Sequence, residues 1–494
     1  MQGPRRINRA ALNGRAAFCG ATFLMGIGLA LVAERVGAPD AVVRVFAGVF
    51  ALPGLALIGL LARSSSLAHF FAANRATPEA YGGLAFAGVA SGLALCLLAR
   101  SGPASPLPLA GAALGIGLGG LLVGPLVRRA NSSGLGDFLA LRLSGAGARW
   151  PLGLVLLLVS ALTAIAGYEA ALDALVDRQI LSRASALVAV GAALALIVAP
   201  GGLASVIWGA AACAGALLLA LALPILAQVV AAPGDPLAWL GAGAYGGLTP
   251  NSLHAPPMLI LASAIGVGAL AVWPQTGVAA QNSLRALRAG ASGVLLAGAA
   301  AFGAVVDAIG IGGAPGPAAR GVTGGVLALA GIALAASSLF GAVRAFAAPA
   351  PRPGGPRALA SQRLARARGA TLILVALAGA LLRWRAVDPG ETILAAIVLS
   401  LAFVAPPIGL TFSARASGAH AMAAFLVSLA ALAGLVGWGG QPAAPAGWLA
   451  DALVAAALGF CAGWAASLFA PPPAPSGPDA ARDAYFELPD GPRF

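Results

Sequence analysis

Apolar stretches, most of them 18 residues or longer, follow one another from residue 16 to residue 470, and no other feature constrains the fold so tightly. A helix of that length, rising about 1.5 Å per residue, crosses a hydrocarbon layer of about 30 Å. Inside such a layer no water is available to the backbone, so each segment must satisfy its own hydrogen bonds as a helix. The spans read at residues 16–33, 43–62, 80–99, 107–127, 151–172, 184–200, 203–229, 257–275, 289–310, 321–343, 368–382, 391–411, 418–438 and 447–470. The expected fold class is therefore an all-α polytopic membrane protein of about 14 transmembrane helices. The first span follows Arg5, Arg6, Arg9 and Arg15, the pattern of a signal peptide, but its length favours a retained helix.

Composition agrees. Hydrophobic residues make up 60% of the chain and charged residues 9%, against roughly a quarter charged in soluble domains. The net charge of +13 does not point to nucleic acid, because all 29 basic residues are arginines that lie almost wholly between the apolar runs. That placement points to membrane topology and anionic lipid headgroups. With the N-terminus placed in the cytoplasm, 21 arginines fall on the inner side and 8 on the outer. The expectation is a multi-pass protein of a bacterial inner membrane with both termini cytoplasmic. Cys19, Cys96, Cys213 and Cys461 each sit in an apolar run without metal-ligand spacing. No zinc, nucleophile-elbow or phosphate-loop motif accompanies His69, His254 and His420, so the expectation is a non-enzyme without a cofactor. Residues 346–363 read as a Pro/Gly-rich cytoplasmic loop and 471–494 as a disordered polar tail.

Four motifs stand in order across roughly residues 43–440. Arg63 to Thr77, with His69-Phe70-Phe71 at its centre, leads into the Gly/Ala-rich segment Gly83 to Gly88. Gly136-Asp137-Phe138 closes on Arg142; Gly201-Gly202 precedes Trp208; Ala335-Ala336-Ser337-Ser338 ends the set. Together they resemble signatures of the sodium/solute symporter family, and the extra first helix and polar tail look most like its cation/acetate symporter branch. The resemblance implies a leucine-transporter-like core of two inverted five-helix repeats, placed on residues 80–229 and 257–411. Residues 1–79 and 412–470 would then be peripheral helices, and 230–256 an outer loop. Each repeat opens on a glycine-interrupted segment, with Gly82, Gly83, Gly88 and Gly92 in one and Gly266, Gly268 and Pro274 in the other. Interrupted helices in matching positions point to a midplane binding site. The same glycines also suit close helix packing, and on the residues alone packing is the simpler reading.

The function so implied is cation-coupled symport of a small organic solute, with a short monocarboxylate such as acetate suggested by the branch. A sodium ion needs about five oxygens to replace its hydration shell. The resemblance assigns the hydroxyls of Ser337 and Ser338 and the carbonyls of Ala87 and Ala90 to it, although paired serines also bond back to their own helix. Gly88, Trp273 and Gln275 are the candidate solute residues. Val89, Ala210 and Ala279 stand where relatives carry charged or titratable groups. Glu169 is the candidate proton carrier, because a carboxylate within a span is costly to bury. Its place near a helix end also allows plain pairing with Arg178 or Arg183. The missing charges leave a second class open, a transport-inactive membrane sensor or partner subunit. The expected partners are the lipid bilayer and a small solute, with Na⁺ or H⁺ as coupling ion.

Overall fold

The computed structural model describes residues 9–100, 109–143, 149–231, 256–308, 316–347, 360–413, 415–439 and 445–469. The tail 471–494 and nearly all of the expected loop 230–256 lie outside them. The described residues form helices joined by short turns, and the one β contact among them is an isolated parallel bridge between Thr77 and Ala280. Eleven helical stretches are long and apolar enough to cross a membrane. Three of the expected spans are not among these eleven. They are the first, α1 (Arg9–Arg35), the one at 289–310, and the one at 257–275, which is broken.

In chain order, α2 (Asp40–Val49) and α3 (Ala51–Leu61) form one span, and the short α4 (Leu67–Ala72) follows. The first proposed repeat contains α5 (Glu79–Arg100), α6 (Leu109–Leu118), α7 (Gly124–Arg129), α8 (Leu135–Arg142), α9 (Arg149–Asp177), α10 (Arg183–Gly201) and α11 (Leu203–Ala231). The second contains α12 (Pro257–Gly268), α13 (Pro274–Ala279), α14 (Ser283–Ala308), α15 (Pro317–Ala347), α16 (Ala360–Trp384), α17 (Pro389–Leu399) and α18 (Ala405–Leu410). Then come α19 (Gly418–Gly439) and α20 (Pro445–Leu468).

Local chemistry sets several boundaries. The Ser182 hydroxyl caps α10, and Asp388 caps α17 by accepting from the Gly390 and Glu391 amides. The turn from α10 to α11 is the single residue Gly202, at φ +60°. A side chain there would also run into the Phe70 carbonyl and ring, so only glycine fits. Two spans carry a π-helical turn just before proline, Gly119–Val123 ahead of Pro125 and Ser400–Val404 ahead of Pro406 and Pro407. Proline lacks the N–H that a regular α-turn would donate, and the wider turn absorbs the mismatch.

The centre is built from α5, α9, α11 and α15. The α15 span is 89% buried, against 17% for the α19 span, which faces lipid. Small residues let the backbones meet. A Cβ at Gly167 of α9 would stand 2.8 Å from the Gly331 carbonyl of α15, and one at Gly331 would meet the Gly167 carbonyl in turn. α5 packs on α14 and α11, α12 on α6, and α13 on α7. In lipid such close van der Waals packing drives association that a hydrophobic effect cannot.

Candidate transport site

The expected interruption of the second repeat is present. Helix α12 stops at Gly268 with the Ala269 amide closing its last turn on the Ile265 carbonyl, residues 270–273 leave the helix, and α13 restarts at Pro274. The break is stapled by Trp273, whose indole Nε1 donates to the Val267 carbonyl at 2.6 Å. The indole lies against Gly119 of the first π-turn and 5.0 Å from the Phe86 ring of α5. The expected interruption of the first repeat is absent. Helix α5 runs unbroken from Glu79 to Arg100, because its glycines have neighbours to pack on. A Cβ at Gly88 would strike the Ala210 carbonyl of α11, and one at Gly92 the Ala330 carbonyl of α15.

A small cavity lies where these elements meet, with Phe86 and Val89 of α5, Ala210 of α11, Trp273 and Gln275 of the break and Ser337 of α15 on its walls. It has room for about one water molecule. Trp273 and Gln275 thus share one site, whereas Gly88 turns its Cα toward the Ala210 backbone. The Gln275 amide is oriented by Nε2, which donates to the Ser337 carbonyl at 2.5 Å. Its Oε1 is buried and accepts no hydrogen bond among the described residues; the same holds for the Ser338 hydroxyl.

The four expected sodium ligands do not assemble a shell. Ala87 and Ala90 lie within an intact helix, so their carbonyls are committed to helical bonds, and the Ala87 carbonyl also accepts from the Ser91 hydroxyl at 2.8 Å. Of the expected set, the Ser338 hydroxyl is buried without a partner, and the Ser337 residue lies on the cavity wall. Sodium needs about five ligands, and this arrangement falls short.

Glu169 is 1% exposed, and Arg183 Nη2 donates to its Oε1 at 2.5 Å. Arg183 also stands 3.7 Å from Asp173. The carboxylate is therefore one half of an ion pair that ties α9 to the start of α10, away from the central cavity. Among the described residues no cluster could hold a metal ion.

One end of the molecule is sealed by arginines whose roles sequence reading missed. Arg128 of α7 reaches across to the segment after α13, donating from Nε to the Ala280 carbonyl at 2.7 Å and from Nη2 to the Gln281 carbonyl at 2.5 Å. Beside it the Thr77 amide donates to the Ala279 carbonyl, and Arg75 donates to the side chain and backbone of Asn131. Arg344, with its guanidinium 4.9 Å over the Phe340 ring, donates to the Phe71 carbonyl. Arg368 donates to the Ser64 and Pro200 carbonyls, and Arg142 to that of Thr411. All five belong to the richer arginine set counted for the inner side. Next to Arg368 the Ser64 hydroxyl donates to the Gly201 carbonyl, which leaves its oxygen to accept from Nδ1 of His69 at 2.7 Å. Burial pushes the His69 imidazole below its ordinary value.

No protein-family model matches the chain, and no curated protein sequence matches it. Solved structures do. A sodium-coupled sialic acid symporter in a substrate-bound outward-open state superposes with a TM-score of 0.65 at 15% identity, over 88% of this chain and 99% of that one. A manganese transporter of Eremococcus coleocola aligns at 14% identity over 85% and 94% of the two chains, with a TM-score of only 0.33. At these identities the likeness is one of fold: the chain is a multi-pass helical membrane protein with the architecture of the sialic acid symporter.

Proposed function

We propose that the chain is a secondary transporter that moves a small organic solute by alternating access. The observation that carries this reading is the break at 270–273, buried at the centre of the helix assembly and lining a cavity. Irregular backbone is tolerated at membrane depth only inside protein or against a cavity, and freed amides and carbonyls there serve as ligand contacts.

The packing pattern supports the two proposed repeats, 80–229 and 257–411. Matching them in order pairs α5 with α12–α13, α6–α7 with α14, α9 with α15, α10 with α16, and α11 with α17–α18. Under that exchange the α5–α14 contact maps onto the contacts of α12 with α6 and of α13 with α7. The α9–α17 contact maps onto α11–α15, and the α9–α15 contact maps onto itself. Such a pseudo-twofold is the usual basis of alternating access. The arginine-sealed end corresponds to the cytoplasmic face of an inner-membrane protein on the 21-to-8 arginine split. Breaking the Arg128 contacts would open that end toward the cavity.

Cation coupling comes from the resemblance, which names Na⁺ with Ser337, Ser338, Ala87 and Ala90, or H⁺ on Glu169. The sodium ligands do not close a shell and Glu169 is paired with Arg183, so this arrangement holds a formed site for neither ion. The branch would make the solute a short monocarboxylate. Val89 and Ala210, apolar where charge is expected and both facing the cavity, favour the second reading of a transport-inactive relative. Counterflow of radiolabelled small solutes in proteoliposomes, with and without a sodium gradient, separates the two. Exchange above protein-free vesicles supports transport. Its absence across charged and neutral solutes supports the inactive relative.

A further inference from the structure

We infer that the central site takes an uncharged solute that donates a hydrogen bond, a small amide or alcohol, in preference to a carboxylate. The inference rests on the transport reading and names the solute class for that same site. No ionisable side chain lines the cavity among the described residues; its walls are aliphatic and aromatic apart from Gln275, Thr276 and Ser337. A carboxylate entering this space sheds its hydration and finds no cation to replace it. The donor best suited to an anion is already used, because the Trp273 indole N–H is held by the Val267 carbonyl. The Thr276 hydroxyl donates in the same way to the Trp273 carbonyl at 3.3 Å.

Of the groups left unmatched, the Gln275 side-chain carbonyl can only accept, whereas the Ser337 and Ser338 hydroxyls can donate or accept. The orientation of the Gln275 amide is not arbitrary. Turning it over would set Oε1 against the Ser337 carbonyl, two acceptors at the 2.5 Å now spanned by a hydrogen bond. Oε1 is therefore fixed on the opposite edge, in a side chain only 3% exposed, with no donor from the protein. A buried acceptor left unmatched is costly, and a solute N–H or O–H cancels that cost. The Ser338 hydroxyl, also buried and without a partner, lies on the residue that follows Ser337. A solute cation would meet the acceptor as well, but it brings a charge that no carboxylate on these walls balances. As it stands the cavity holds about one water molecule, so a solute of a few heavy atoms enters only as the surrounding helices part.

Three small probes, the isosteric pair acetamide and acetate and the smaller cation methylammonium, test the inference on the intact protein. The first readout is tryptophan fluorescence in detergent, with the cavity signal isolated by subtracting Trp273→Phe. The second is counterflow of the labelled probes in proteoliposomes against protein-free vesicles. Acetamide should give a saturable fluorescence change at least tenfold tighter than either ion. Gln275→Leu should weaken it roughly three- to tenfold, as expected for one neutral hydrogen bond. Acetate or methylammonium binding as tightly as acetamide overturns the solute class while leaving transport in place. Acetamide binding without uptake overturns transport while leaving the chemistry of the site. No response to any probe overturns the inference. The probe comparison uses the natural sequence, so it holds even if a Gln275 variant fails to fold.

Discussion

Replacing Arg128 with leucine should unseal the arginine-rich end. Two of its hydrogen bonds cross between elements, at 2.7 Å to Ala280 and 2.5 Å to Gln281; the third, to Asn131, stays within its own segment. Bonds from a charged donor contribute about 1.5–3 kcal/mol each. The gross loss is then roughly 3–6 kcal/mol, but both carbonyls gain water once the end opens, which leaves about 2–3 kcal/mol in favour of the closed form. At about 1.4 kcal/mol per factor of ten, the open population should rise roughly 30- to 150-fold. The assay is the labelling rate of a Thr276→Cys reporter by an impermeant maleimide applied from that side, with the four native cysteines replaced. Thr276 lies on the cavity wall four residues before the latched Ala280, so reagent applied from that side meets the latch on its way to it. Thermal melting of the variant distinguishes gating from loss of fold. An unchanged labelling rate in a variant that melts like the parent would refute the latch.

Arg183→Leu should destabilise the protein by about 3 kcal/mol, a figure already discounted for the partial exposure of Arg183, because it strands the buried Glu169 carboxylate. Glu169→Gln should cost only about 1 kcal/mol, since Arg183 can turn to Asp173; the reverse order in melting experiments would contradict the pairing. His69 binds its proton less readily folded than unfolded, so its contribution is complete above the ordinary value of 6.5 and is lost as pH falls below it. Melting should therefore drop between pH 7.5 and pH 5, and His69→Asn, which retains a donor toward Ser64, should flatten that drop. Ser338→Ala removes a hydroxyl with no protein partner, so stability should stay within about 0.5 kcal/mol. If transport is sodium-driven, the same change should raise the apparent sodium constant, and an unchanged constant removes Ser338 from ion binding. Gly202→Ala should destabilise by about 1–3 kcal/mol or more, from its positive φ and the encroachment on Phe70; a neutral melt would show that the α10–α11 turn relaxes.

The membrane class was legible in the chain itself, because apolar length and charge spacing are local properties and a bilayer leaves a polypeptide few alternatives. Eleven of the expected spans reappear as helices long and apolar enough to cross. The break before Pro274 was legible for the same reason, since glycine and proline act on their own turn. Glycine without proline is ambiguous. Gly88 and Gly92 read as an interruption through the family resemblance and as a packing face on the residues alone, and the carbonyls of Ala210 and Ala330 that rest on them come from distant helices. Only the tertiary structure decided for packing and kept α5 straight. Glu169 likewise looked like a proton site or an interfacial ion until Arg183, 14 residues on, closed upon it. The arginine seal was hidden for a further reason. Its acceptors are backbone carbonyls, which every residue carries, so no residue type marks Ala280, Gln281, Phe71 or Pro200 as a partner. The Gln275 acceptor emerged only once Nε2 was seen against the Ser337 carbonyl, 62 residues away. Local chemistry determined which segments enter the membrane, and long-range packing determined which of their polar atoms were left to meet a solute.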